Sequence, residues 1–156
     1  MSSEARRGRP LKLIVAVALV AVIGLGAGYY FAYASTPSFP VTWSVRPLNI
    51  KFSVSQSFSG SAPDSFTCDP SVSPVTLQAF SSQPDIITIT VSPSSFSSCG
   101  SSPDDVTVTA SCTPAAIANG TCPGDRYSGS VVVCGPTPYT CLKQVLQVNV
   151  AVTTHP

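Results

Sequence analysis

The sequence predicts an all-β sandwich of about seven short strands, preceded by one N-terminal transmembrane helix. Three observations carry that expectation. Residues 13–33, LIVAVALVAVIGLGAGYYFAY, run for 21 positions without a charge. Beyond residue 35, apolar residues recur with a period of two, and no segment shows helical periodicity. Turn-forming Pro, Gly and Asp residues interrupt the alternation roughly every 8–15 residues, as in all-β domains.

The apolar run comes first. As a helix it would span about 31 Å, the thickness of a hydrocarbon core. Before it stand Arg6, Arg7, Arg9 and Lys12 against one acid, Glu4, and the next charge after it is Arg46. That asymmetry puts residues 1–12 in the cytoplasm and the C-terminal part outside, in a single-pass arrangement at the cell membrane. Tyr29, Tyr30 and Tyr33 suit the outer headgroup level. Two processing fates compete from the residues alone: an uncleaved signal anchor, or a signal peptide cut after Ala32-Tyr33-Ala34. Gly24 and Gly28, with Gly26 between them, form a small-xxx-small pattern that lets helices approach closely, although glycine is in any case common in membrane helices. The same glycines begin like a dinucleotide motif but lack its strand, its third glycine and its acid.

Residues 34–40 read as a short extended stalk and residues 41–156 as the extracytoplasmic domain. From Ser35 onward there are 122 residues, enough for one modest core. Ser and Thr account for 37 of them, and six Asp against four Lys/Arg give this part a net charge of −2. No basic stripe interleaves with aromatics, so nucleic acid is not an expected partner. The expected partners are membrane lipid, and another copy of the chain or a further surface or membrane protein. Few groups titrate, which suits a wide pH range.

All six cysteines, Cys68, Cys99, Cys112, Cys122, Cys134 and Cys141, follow the anchor. An even count in a small extracytoplasmic domain reads as a disulfide framework. Six cysteines allow 15 pairings, and sequence alone does not choose among them. Loop geometry favours Cys134 with Cys141 and Cys112 with Cys122, each bracketing a turn-rich loop, which leaves Cys68 with Cys99. No CxxC occurs and the single histidine, His155, stands next to the C-terminus, so a zinc knuckle is not expected.

The strands follow in order. Val41, Trp43 and Val45 share one face, and Leu48, Ile50, Phe52 and Val54 share the next after Arg46-Pro47. The run 57–64, SFSGSAPD, reads as a turn region, and a short strand at 65–69 carries Cys68. Val75, Leu77 and Ala79 give another strand. Residues 86–91, IITITV, are the most strand-like run in the chain, and Pro93-Ser94-Ser95 ends it. Residues 106–110 lead into Cys112, and 113–125 read as a loop. Residues 127–134 and 143–152 form the closing hairpin, with Leu146, Val148, Val150 and Val152 inward.

Two resemblances appear at this point. Tyr127-Ser128-Gly129-Ser130-Val131-Val132-Val133 followed by Val148-Asn149-Val150-Ala151-Val152 resembles the closing strands of prokaryotic immunoglobulin-like surface modules. Val91-Ser92-Pro93-Ser94-Ser95 resembles the same group, and the match covers roughly residues 85–152. It implies an immunoglobulin-like sandwich in a structural, adhesive or carbohydrate-contacting setting and carries over no functional residues. Under it, Tyr127 would serve as a corner tyrosine bonding back to the backbone. At the other end, Arg7-Gly8 before an apolar helix resembles the class III leader of archaeal type IV pilins, which are cut after such a glycine. Arg9, Pro10 and Lys12 follow here, where those pilins turn apolar.

Chemistry is sparse. A Ser-His-Asp arrangement would have to use His155, and no Glu follows position 4, so catalysis is not expected and no cofactor is implied. Asp104, Asp105 and Asp125 offer oxygen ligands for calcium if one end of the sandwich gathers them. The competing reading makes Asp64, Asp85 and Asp104 turn residues, since each follows a proline. Asn119-Gly120-Thr121 is a glycosylation sequon, and Asn-Gly is equally good as a bare turn. Trp43 reads as a core residue. A sharper reading has residues 41–55 pairing with a neighbouring subunit, completing its open sheet edge to build a filament. The expected role is therefore structural, adhesive or binding at the cell surface, with a filament subunit or an accessory subunit of a membrane complex as alternatives.

Overall fold

A computed structural model describes residues 40–136, 141 and 145–154. The expected membrane helix, with Gly24 and Gly28, lies outside the described residues, as does His155. Among the described residues no helix is long and apolar enough to cross a membrane.

The described chain forms β1 (Val41–Trp43), β2 (Leu48–Ser53), β3 (Ser59–Cys68), β4 (Val75–Ser81), β5 (Ile87–Ser92), β6 (Ser95–Phe96), β7 (Asp104–Cys112), α1 (Pro114–Ala118), β8 (Gly124–Cys134) and β9 (Leu146–Thr153). They build a two-sheet sandwich. One sheet has the order β1-β3-β7-β5 and the other β2-β9-β8-β4-β6. Neighbours are antiparallel except β2 and β9, which run parallel with Leu48 opposite Val148 and Ser53 opposite Thr153.

Alternation explains the core. Val106, Val108 and Ala110 point inward from β7, and Leu146, Val148, Val150 and Val152 from β9; all are buried. Each fully buried aliphatic side chain contributes about 1.5–3 kcal/mol. Trp43, only 3% exposed, packs 5.1 Å from the Phe66 ring, which meets Phe96 edge-on at 5.5 Å. Such tilted and edge-on pairs add about 0.5–1.5 kcal/mol beyond their area.

Several expectations are corrected. Val45 is 45% exposed rather than inward, because β1 ends at Trp43 and residues 44–47 carry the chain from one sheet to the other. Within the 41–55 stretch, β1 pairs with β3 and β2 pairs with β9 of the same chain, each as the edge strand of its sheet. The run 59–64 is strand, not turn. Its Pro63 is tolerated because β1 covers only Phe66, Thr67 and Cys68, so Pro63 lies where that side of β3 is a free edge. The expected end of β5 at Pro93 does hold, since β5 stops at Ser92, and the short β6 that follows bonds to β4 in the other sheet. The loop at 113–125 holds α1, whose N-cap is Thr113, with Oγ1 accepting from the Ala116 N–H at 3.1 Å and proline at the first turn. The last strand begins at Leu146 rather than Lys143, which lies outside the described residues.

Three disulfides close within the domain: Cys68–Cys99, Cys112–Cys122 and Cys134–Cys141. The first ties the end of β3 to the segment after β6, the second closes the α1 loop, and the third closes the segment between β8 and β9. All six cysteines are paired. A small all-β domain closed in this way is built for an oxidising, extracytoplasmic setting.

Candidate functional site

The outer face of the second sheet carries the most site-like surface among the described residues. Inward alternation of Ile50, Tyr127 and Val150 turns their neighbours outward, so Asn49 and Lys51 of β2, Asn149 and Ala151 of β9, and Arg126 and Ser128 of β8 share one face. With Ser82 and Gln83 from the turn after β4, they line a groove of about 620 Å3.

Register sets two rows across it. In one, Asn49 lies opposite Asn149, and Asn149 opposite Ser128. Asn149 Nδ2 donates to Asn49 Oδ1 at 3.1 Å, and Asn49 Nδ2 donates to the Pro47 carbonyl at 3.3 Å. Ser82 Oγ donates to the Ser128 carbonyl at 2.8 Å, and Ser128 Oγ donates to Ser82 Oγ at 3.0 Å. In the other row, Lys51 lies opposite Ala151, and the register shift between Gly124 and Tyr127 sets Arg126 across from the same stretch of β9. A small residue thus forms the floor between two cations. Among the described residues the groove lining holds no carboxylate, and neither Lys51 nor Arg126 makes an ion pair.

The sequence-derived candidates fall elsewhere. Asp104 and Asp105 open β7, whereas Asp125 lies near the start of β8; β8 sets out from the end of the sandwich where β7 finishes and Cys112 bonds Cys122. The three are therefore not gathered, and no metal-ligating cluster occurs among the described residues. Desolvation and, to a lesser degree, the neighbouring Asp105 raise the Asp104 carboxyl above its ordinary value.

Asp64 and Asp104 are strand residues rather than turn residues. Asp64 is 6% exposed, and its Oδ1 accepts from the N–H groups of Val45 at 3.0 Å and Ser65 at 2.7 Å. Its Oδ2 is buried without a hydrogen-bond partner. The carboxylate pins the segment that crosses between the sheets. Asp85 does lie in a turn, and its carbonyl accepts from Thr113 Oγ1 at 2.6 Å.

Tyr127 is buried, and its hydroxyl donates to the Cys122 carbonyl at 2.9 Å, with the Thr121 carbonyl at 3.4 Å. The hydroxyl thus returns to the backbone upstream of its own strand. Asn119 caps the C-terminus of α1 and is exposed, and Gly120 follows at φ 64°, a left-handed turn position.

Alternation with Ile50 and Val150 is enough to turn Asn49, Lys51 and Asn149 outward, but no sequence pattern brings them together. The missing element was the parallel pairing of β2 with β9, a contact between distant segments. The only local signal was a polar outer face on both strands.

No family model matches the chain, and no curated protein matches it. Among solved structures it is similar to domains 4 and 5 of the S-layer protein SbsC, with 13% identity, a TM-score of 0.39, and coverage of 73% of this chain and 51% of that one. It is also similar to the YadV chaperone, with 11% identity, a TM-score of 0.43, and coverage of 74% and 52%. The chain thus spans about half the length of each.

Proposed function

We propose that the chain is a membrane-anchored, extracytoplasmic immunoglobulin-like domain with a structural, adhesive or binding role at the cell surface. The observation that carries this reading is the closure of three disulfides within one small sandwich, which needs an oxidising compartment to form. The 21-residue apolar run behind a basic head supplies the anchor and its direction.

Strand order supports the immunoglobulin-like part. Lettered in chain order with β2 and β6 set aside, β1-β3-β7-β5 follows A-B-E-D and β9-β8-β4 follows G-F-C, with β2 added beside the last strand and the two-residue β6 beside β4. Tyr127, near the start of the F-equivalent strand, bonds back to the backbone as a corner tyrosine does. The role is read as binding or structural, and the groove supports that reading with amide, hydroxyl and cationic donors on one exposed face.

The test is the intact mass of the native protein from membrane and medium fractions. A chain beginning near Met1 in the membrane supports the anchored domain. A chain beginning at Ser35 in the medium makes it secreted, and a chain beginning at Arg9 means pilin-type processing; either overturns the anchor.

One observation favours a filament as the second reading. Among the described residues β5 bonds to β7 on one side only, and its sequence ITITVS is uncharged and rich in β-branched residues. An edge of that kind is a template for pairing with another chain.

A further inference from the structure

We infer that the groove on the outer face of β2, β9 and β8 binds a carboxylate-bearing saccharide, its carboxylate over Ala151 between Lys51 and Arg126. The inference deepens the proposed binding role, and it takes from that reading only the exposure of this face outside the cell.

The two cations are what single the groove out. The part of the chain after residue 34 has four basic residues. Arg46 is engaged, with Nη2 donating to the Val145 carbonyl at 3.1 Å. Lys51 and Arg126 both line this groove and make no ion pair among the described residues. They flank β9 from the strands on its two sides, so two strand spacings, about 9–10 Å, separate their backbones. Side chains of that length converge on an anion lying between them, and the arginine fork matches a carboxylate through two N–H donors. Ala151 leaves the space that a larger outward residue would fill.

The rest of the lining selects a sugar rather than a peptide. Outward side chains are amides and hydroxyls: Asn49, Asn149, Gln83, Ser82 and Ser128. The Asn49–Asn149 pair is already fixed by its own hydrogen bonds, so it is oriented before a ligand arrives. Remaining donors and acceptors on this row suit the paired hydroxyls of a pyranose. Apart from Ala151, the apolar lining residues Ile50, Tyr127 and Val150 are buried and turned inward, so among the described residues no apolar socket is left for a peptide side chain.

The full-length chain in detergent micelles, titrated by calorimetry, tests this. The probe is oligogalacturonate, with its methyl ester and an oligoglutamate as comparators. Oligogalacturonate is expected to bind with an affinity that falls as salt rises, and the ester and the peptide to bind at least about tenfold more weakly. The double variant Lys51→Ala/Arg126→Ala should lose about tenfold or more while keeping the parent melting temperature. Ala151→Trp, which fills the floor, should lose binding with both cations still present. Absence of binding by the parent chain, an unchanged affinity in the double variant, or equal binding of oligoglutamate overturns the inference. Labelling of Lys51 in intact cells by a membrane-impermeant amine reagent tests exposure separately. A protected Lys51 with intact binding in vitro would sink the surface reading and leave the groove standing.

Discussion

At the scale of single residues, the Tyr127 corner shows how one side chain constrains another. The hydroxyl reaches the Cys122 carbonyl across Gly124, and a Cβ built on Gly124 would collide with the Tyr127 hydroxyl, lying 2.9 Å from Cζ as well. Gly124 is therefore demanded by the tyrosine rather than by its own backbone angles. Tyr127→Phe should cost about 1 kcal/mol, the net worth of one hydrogen bond. Gly124→Ala should cost about 1–3 kcal/mol through overpacking. In a double-mutant cycle by urea denaturation, Gly124→Ala should cost less when combined with Tyr127→Phe, because the hydroxyl collision is gone. Additive losses would mean that the two positions do not meet. Asp104 supplies a second test, with the opposite electrostatic sign from a paired carboxylate. Its carboxyl is raised above 3.8 by desolvation and by Asp105, so the folded state holds the proton longer than the unfolded chain. The associated stability is fully present below the unfolded value and is lost as pH rises through the folded one. Asp104→Asn should therefore raise the melting temperature at neutral pH and leave it unchanged in acid below 3.8. An equal shift at both pH values would point to packing instead of charge.

At the scale of elements, what could be read in advance depended on whether a strand has a polar face and an apolar face. β7 and β9 alternate cleanly, as do Leu48, Asn49 and Ile50 of β2, and these are legible from periodicity. The first half of β3 is built from Ser, Gly, Ala, Pro and Asp, nearly all turn formers, and is strand only because β7 pairs with it along Ser59–Phe66. α1 has five residues, too few for a helical period to emerge, although Thr113-Pro114 carries the start signal. The groove was half legible. Its outward residues follow from alternation, but their assembly depends on β2 lying parallel to β9, a pairing between segments about a hundred residues apart that no local rule encodes. The free edge of β5 belongs to this scale too. Thr90 is exposed at the middle of the strand, and a lysine there is a usual block to edge pairing. If copies join through β5 into filaments, Thr90→Lys should abolish those filaments in negative-stain microscopy, while changing monomer stability by no more than about 0.5 kcal/mol. Filaments that persist would remove β5 as the contact.

At the scale of the whole molecule, the three disulfides share the work unequally, and the inequality can be measured. Loop entropy depends on the chain length each bridge closes. Separations of 31, 10 and 7 residues belong to Cys68–Cys99, Cys112–Cys122 and Cys134–Cys141. They correspond to about 4, 3 and 2 kcal/mol respectively. Together these approach the full stability of a typical domain, about 5–15 kcal/mol. The sandwich has a continuous buried core, so losing the shortest bridge should leave a folded protein. Losing the longest should lower the melting temperature most, because it ties β3 to a segment outside the regular sheet pairing. Paired Cys→Ala variants, melted singly under identical conditions, should rank in that order. Full reduction should bring the midpoint close to ambient temperature. A reduced chain as stable as the oxidised one would show that the core suffices alone. The need for an oxidising compartment, and with it the main support for a place outside the cytoplasm, would then fall away.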